Sequence, residues 1–175
     1  GVTTIGESAF YRCEALVSID LPSGVTTIGA SAFAYCEALT SIALPSGVTA
    51  ISDSTLRGCE KLTSVTIPAR LKTVGASAFE NCKALTAIDL PDSLTALGAS
   101  AFKGCEKLAS VQAACSAAIG KEAFSGCTAL TEVSLTGRKI SLESGVFSGC
   151  TSLKKLSITG AESSVGDAAV QCCQS

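Results

Sequence analysis

Hydrophobic residues recur along the chain with a period of 23 residues. Most periods contain a Phe, with Leu56 and Val170 in its place in the third and eighth, then a Cys three residues later, a Leu after three more, and a short run in which apolar and polar residues alternate. The cysteine column consists of Cys13, Cys36, Cys59, Cys82, Cys105, Cys127, Cys150 and Cys173. One residue is missing between Cys105 and Cys127, where the spacing falls to 22. A fixed period of this length is typical of a solenoid in which each repeat forms one turn.

Three short segments are predicted within each period. The motif L-x-x-I-x-L ends in the alternation of a half-buried strand. We therefore expect one parallel sheet with strands at residues 16–21, 39–44, 62–67, 85–90, 108–113, 130–135 and 153–158. The motif V-T-x-I predicts a second short extended piece, and S-A-F-x-x-C favours a single helical or 3₁₀ turn because it is too short for an independent helix. One turn cannot bury its apolar face alone, so neighbouring turns must cover each other.

These motifs resemble the BspA-type leucine-rich repeat, whose signature is L-x-x-I-x-L-P-x-x-L-T-x-I-G-x-x-A-F-x-x-C. Residues 39–62 follow it closely, except that Ser52 replaces Gly and Thr55-Leu56 replaces Ala-Phe. The resemblance implies a leucine-rich-repeat solenoid over residues 1–175, a single domain of about 7.5 repeats. It also implies a parallel β-sheet on the concave face, short extended and helical or 3₁₀ turns on the convex side, and a role in binding proteins, often at cell surfaces, without enzymatic activity.

The cysteine column predicts a row of small buried side chains. Adjacent parallel strands lie about 4.8 Å apart, and Cys behaves as an apolar filler. Disulfides are disfavoured because parallel Cβ vectors keep the Cβ atoms beyond about 3.5–4.5 Å, and a zinc site is disfavoured because a single-file row does not converge on one metal. The thiols that we expect to be buried and reduced are Cys13, Cys36, Cys59, Cys82, Cys105, Cys127 and Cys150.

Two further cysteines, Cys115 and Cys172, lie outside this column. Cys115 follows the point where Ala113-Ala114 replaces Leu-Pro and one residue is missing from the repeat. The loss of a large apolar side chain predicts a thinner core at this point. We expect local irregularity over residues 112–118, with Cys115 turned inward or covered.

The amino-acid composition argues against several classes of function. The chain has no His to act as a base for a nucleophile and no glycine-rich phosphate loop, so we expect no enzyme, no cofactor and no metal site. Thirteen Lys and Arg against 15 Asp and Glu give a net charge of −2 without a basic block, which argues against nucleic acid as a partner. No apolar run is long enough to predict a membrane span.

Candidate contact residues therefore come from surface chemistry, and we expect other proteins as partners. Aromatic and Arg side chains dominate protein interfaces, and Tyr11, Arg12 and Tyr35 follow Phe on the turns of the first two repeats. The repeats at both ends lack polar caps, so we expect a longer chain or partner proteins to cover Val2 and Ile5 at one end and Val165 and Val170 at the other. The predicted concave face is small and polar, and its weaker candidates are Ser18, Asp20, Ser41, Thr63, Thr66, Asp89, Gln112, Glu132, Lys154 and Lys155.

These features favour a non-enzymatic protein-interaction module that acts as a structural or scaffold subunit of a larger assembly. The alternative is a cell-surface adhesin of the BspA type that binds host or matrix proteins. Many free thiols and the absence of an N-x-[ST] sequon lean toward a reducing or organellar compartment, with the cell surface as the alternative.

Overall fold

The computed structural model describes residues 1–160 and 163–167, which form a parallel β-solenoid of about seven turns. The strands predicted from L-x-x-I-x-L form the main ladder: β3 (Ser41–Ala43), β5 (Ser64–Thr66), β7 (Ala87–Leu90), β9 (Ser110–Ala113), β11 (Glu132–Thr136) and β13 (Lys155–Thr159). The V-T-x-I pieces form the minor ladder: β1 (Thr4–Ile5), β2 (Thr27–Ile28), β4 (Ala50–Ile51), β6 (Thr73–Val74), β8 (Ala96–Leu97), β10 (Ala118–Ile119), β12 (Ser141–Leu142) and β14 (Ser164–Val165).

The 23-residue period sets the register of both ladders. Val133 of β11 pairs with Leu156 one period later, and with Val111 across the deletion, 22 residues earlier. Ile88 and Leu90 of β7 are buried while the alternate side chains face solvent, as the alternating pattern predicts. The parallel solenoid inferred from the sequence is confirmed.

The prediction of one continuous sheet was wrong in two respects. Residues 16–21 form no strand, and Leu16, Ile19 and Leu21 among them are only half-buried. The main ladder also divides into β3–β5 and β7–β9–β11–β13, and the minor ladder divides between β2 and β4. The remaining main strands are three to five residues long rather than six.

Ser52 accompanies the interruption of the minor ladder. Glycines of the same column, such as Gly29 and Gly75, donate a backbone N–H to the preceding turn. A Cβ on them would fall 2.5–2.8 Å from that turn's backbone. Ser52 carries a Cβ, and its hydroxyl, rather than its N–H, donates to the Ile28 carbonyl at 2.6 Å. Glu143 stands in the same column of a later turn and keeps its backbone bond, so this tight fit does not exclude every side chain.

The S-A-F-x-x-C segment is a run of reverse turns rather than the predicted helical or 3₁₀ turn. In the second repeat, Ala34 N–H donates to Ser31 O at 3.1 Å, as in a turn, but Phe33 N–H donates to Thr55 O of the next turn at 2.9 Å. Ser31 and Tyr35 have φ of 54° and 61°, whereas a right-handed helix needs negative φ throughout. Bonds such as Phe33 N–H to Thr55 O join neighbouring turns along this segment, in addition to those of the main and minor ladders. We call them the turn ladder.

Phenylalanine and cysteine side chains fill the core between the ladders. The Phe rings stack in register, for example Phe79 on Phe102 at 4.9 Å and Phe102 on Phe124 at 5.3 Å between centroids. Leu56 interrupts this column in the third turn. The buried thiols of the column each donate to a carbonyl of the preceding turn at 3.1–3.2 Å; these are Cys36, Cys59, Cys82, Cys105, Cys127 and Cys150.

Cys13 departs from the predicted burial, while Cys115 follows it. Cys13 is free but exposed, in contrast to the other described cysteines of the column, which are buried. Cys115 is buried, as predicted, and Ala113 and Ala117 beside it replace larger core residues. A cleft of about 260 Å³ lies where the core is thin, lined by Ala113 and Gln112 among others. Cys172 and Cys173 lie outside the described residues.

Candidate protein-contact site

A cluster of Tyr11, Arg12, Tyr35 and Arg57 lies on the turn ladder of the first three turns. The two tyrosine rings meet edge to face, with centroids 5.8 Å apart and planes at 87°. The Arg12 guanidinium carbon lies 5.7 Å from the Tyr11 centroid and 5.8 Å from that of Tyr35. Arg57 approaches the Tyr35 ring to 6.0 Å. We call these four side chains the tyrosine–arginine cluster.

Backbone geometry makes this cluster unusual within the repeat. The residue before each Cys adopts left-handed φ: 57° at Arg12, 61° at Tyr35 and 60° at Asn81. Later turns place glycine there, with φ of 71–73°; these are Gly58, Gly104, Gly126 and Gly149. Left-handed φ costs an L-residue about 1–2 kcal/mol. The first two turns therefore hold large side chains at a strained position that most other turns give to glycine.

The Tyr35 ring packs directly against Gly58. A Cβ on Gly58 would lie 2.6 Å from Tyr35 Cδ1 and 2.9 Å from Cε1, so the ring lies directly on the glycine. Tyr35 is consequently half-buried, whereas Tyr11 is 45% exposed. The cluster presents one supported ring and one exposed ring in edge-to-face contact, with the Arg12 guanidinium beside both of them.

Ion pairs join neighbouring turns along the same edge. Arg57 Nε lies 3.2 Å from Glu80 Oε2, and Lys103 Nζ lies 2.7 Å from Glu122 Oε2. Lys103 lowers the pKa of the Glu122 carboxyl by its hydrogen bond and its charge. Among residues 1–160 and 163–167, no carboxylate pairs with Arg12.

Three members of the cluster, Tyr11, Arg12 and Tyr35, are predicted from the sequence, and Arg57 is not. Tyr11 and Arg57 both stand two residues before a Cys, and Arg12 and Tyr35 both stand one residue before it. Comparing these two adjacent columns would have placed all four side chains on one edge. The supporting role of Gly58 is visible only once the ring position is known.

The candidates on the predicted concave face are dispersed. Ser41, Thr66, Asp89 and Gln112 point outward from the main strands and are exposed. Lys155 Nζ pairs with Glu132 Oε1 at 2.6 Å. Ser18 and Asp20 are exposed in the first turn, which has no main strand, and Thr63 and Lys154 are exposed just before β5 and β13. On the described part of this face no aromatic side chain lies among these residues, so they do not form a compact contact site.

The apolar end residues are partly accessible. Val2 and Val165 are 52% and 57% exposed, while Ile5 is half-buried against the core. Val170 lies outside the described residues. Their role as protein contacts stays a prediction.

The described part of the chain has no helix of the length and apolarity needed to cross a bilayer.

Comparisons with known proteins agree on the repeat type. The family model described as "BspA type Leucine rich repeat region (6 copies)" matches residues 1–109 and 110–175. The chain is 32% identical to a leucine-rich repeat protein of T. pallidum, with a TM-score of 0.73 over 86% of this chain and 71% of that one. No curated protein matches the chain at a significant level.

A second similar structure supports the fold alone. This leucine-rich repeat protein from Eubacterium ventriosum is 23% identical, with a TM-score of 0.69 over 89% of this chain. The aligned region spans about half of that protein, 52% of its length.

Proposed function

Because the chain belongs to the family of BspA-type leucine-rich repeat proteins, we propose that it is a non-enzymatic protein-interaction module, a scaffold subunit whose principal contact is the tyrosine–arginine cluster. The repeat type supports a protein-interaction or scaffold role. The location of the contact within the solenoid, and its use in a larger assembly, are parts of the proposal.

The observation that carries the proposal is the retention of Arg12 and Tyr35 at left-handed positions. Strained backbone persists where the side chain has a role that compensates for the cost. Glycine fills the same position in several later turns, so the fold itself does not require a large side chain there. Tyr and Arg are also the residues that most often dominate binding energy at interfaces.

The chemistry of the strand face supports the same choice. Its outward side chains on β3, β5 and β7 are Ser, Ala, Thr and Asp, which are small and bury little area on contact. A contact built on the cluster buries aromatic rings that are already held in place, so less conformational entropy is lost on binding. The main contact is therefore proposed on the edge of the solenoid rather than on its main sheet.

Affinity purification with mass spectrometry tests this assignment. The tagged chain is recovered from its own cells beside a Tyr11→Ala/Tyr35→Ala variant and a matched Ser41→Ala/Ser64→Ala/Ser110→Ala variant of the strand face. We expect the tyrosine variant to lose a specific partner protein and the serine variant to keep it.

Circular dichroism first establishes that both variants are folded. Loss of the partner in the serine variant but not in the tyrosine variant would overturn the proposal. The identity of the partner separates the two roles, because an intracellular complex fits a scaffold subunit and a host or matrix protein fits the adhesin.

A further inference from the structure

We propose that the tyrosine–arginine cluster recognises a carboxylate, an Asp or Glu side chain of a partner protein, through the guanidinium of Arg12. This inference rests on the proposed function, since it specifies the chemistry of the same contact. It assigns Arg12 the central role and gives the tyrosines the role of holding it.

The charge pattern along the edge of the solenoid leads to this assignment. Arg57 is matched by Glu80 from the next turn, and Lys103 is matched by Glu122. Arg12 lies on the same edge and has no such carboxylate within the described residues. A partner carboxylate would complete at Arg12 the pairing that the chain provides for Arg57 and Lys103.

The geometry around Arg12 favours that ligand. Its guanidinium carbon lies within 6 Å of two ring centroids, at 5.7 and 5.8 Å, which is the range of a cation–π contact. These contacts restrict the side chain and reduce the entropy lost on binding. The planar guanidinium offers a fork of N–H donors that matches the two oxygens of a carboxylate.

The surroundings favour a single carboxylate over a polyanion. Glu14 and Glu37 each follow a column cysteine and are exposed close to the cluster in sequence, whereas Glu60 in the same column pairs with Lys83 at 2.7 Å. A nucleic acid backbone carries closely spaced phosphates, and these glutamates would repel it. An acidic residue in a protein segment needs to approach only Arg12.

Selection of peptides on the intact chain tests the inference. A displayed library of random dodecapeptides is enriched on the wild-type protein, and the affinities of the enriched peptides are measured by calorimetry. We expect them to share an Asp or Glu. Changing that residue to Asn or Gln, or changing Arg12→Gln, should weaken binding about tenfold or more, because a charge-assisted pair is lost.

Matched variants make the result specific. Arg70→Gln removes one exposed positive charge elsewhere and should leave affinity unchanged within about twofold, because distant exposed charges are screened. Arg12→Lys keeps the charge but loses the fork, so it should bind with intermediate affinity. Combining Arg12→Gln with the altered peptide should add little to either single loss, since both remove the same pair.

Other outcomes overturn the inference in distinguishable ways. Peptides that depend on Tyr11 and Tyr35 but carry no acidic residue would remove the carboxylate and leave the proposed contact standing. Equal losses of peptide affinity in Arg12→Gln and Arg70→Gln would also argue against the carboxylate and leave the proposed contact standing. Binding that ignores Tyr11, Tyr35 and Arg12 alike would remove both proposals, and tighter binding of a single-stranded oligonucleotide than of any peptide would reassign the cluster to nucleic acid.

Discussion

Replacing Gly58 with Ala should affect both stability and the tyrosine–arginine cluster, and Gly126→Ala provides the control. Both glycines have left-handed φ, +71° and +73°, so each alanine bears a backbone cost of about 1 kcal/mol. At Gly126 the new Cβ meets its nearest atom at 3.7 Å, an ordinary contact. At Gly58 it would meet Tyr35 Cδ1 at 2.6 Å.

The magnitude of the difference follows from the displacement of Tyr35. Carbon atoms pack at about 3.5–4.0 Å, so the Tyr35 ring must move by about 1 Å and loses its packing against Gly58. Its edge-to-face contact with Tyr11 is of a type worth about 0.5–1.5 kcal/mol. We therefore expect Gly126→Ala to lower the free energy of unfolding by about 1 kcal/mol and Gly58→Ala to lower it by about 2 kcal/mol.

Urea denaturation followed by circular dichroism measures both values. The chain contains two Tyr and no Trp, so its tyrosine emission reports on the cluster directly. The emission of the folded protein should change in Gly58→Ala and stay unchanged in Gly126→Ala. Equal losses of stability with identical emission would refute the seating of Tyr35 on Gly58.

Three further expectations concern the core. In a chain with Cys172 and Cys173 changed to Ser, Ellman's reagent should label Cys13 under native conditions and the buried column only after unfolding; rapid native labelling of Cys105 would contradict the packing. Burial raises the pKa of the Cys59 and Cys105 thiols from 9.0 to about 12. The unfolded chain therefore loses these protons first, so urea midpoints should be constant between about pH 6 and pH 9 and fall from there toward pH 12, with a shallower fall in Cys105→Ala. Phe102→Ala should cost about 3–5 kcal/mol and Phe102→Leu clearly less, because Leu56 already occupies this column; equal urea-derived losses for both would argue against the importance of ring volume.

Sequence periodicity was sufficient for the fold because each column reports one repeated environment. The spacing of the cysteines gave the register, and even the shortened repeat keeps Val111 paired with Val133. The interruptions of the ladders were not predictable in this way. The minor ladder is interrupted at Ser52, yet Glu143 in the same column of a later turn keeps its backbone bond, so the residue type in one column does not decide where a ladder breaks.

The cluster was only partly predictable for a related reason. Tyr11, Arg12 and Tyr35 stand out because aromatic and Arg side chains are scarce in this chain. Arg57 is equally scarce in type but has no aromatic residue next to it in the sequence, so only its position two residues before Cys59 places it with the others. The left-handed φ at the column before Cys was not anticipated either, because the segment was expected to be helical.

The third turn has a consequence for how the array opens. It is joined to the second turn by the main ladder without the minor one, and to the fourth by the minor ladder without the main one. The turn ladder continues on both sides, through Phe33 N–H to Thr55 O and Leu56 N–H to Ala78 O. In a solenoid, stability is a sum over nearest-neighbour interfaces, so these two interfaces form a seam. Native-state hydrogen exchange should then divide the protein into two cooperative units, with the turns that carry Tyr11 and Tyr35 opening before the continuous block from β7 to β13.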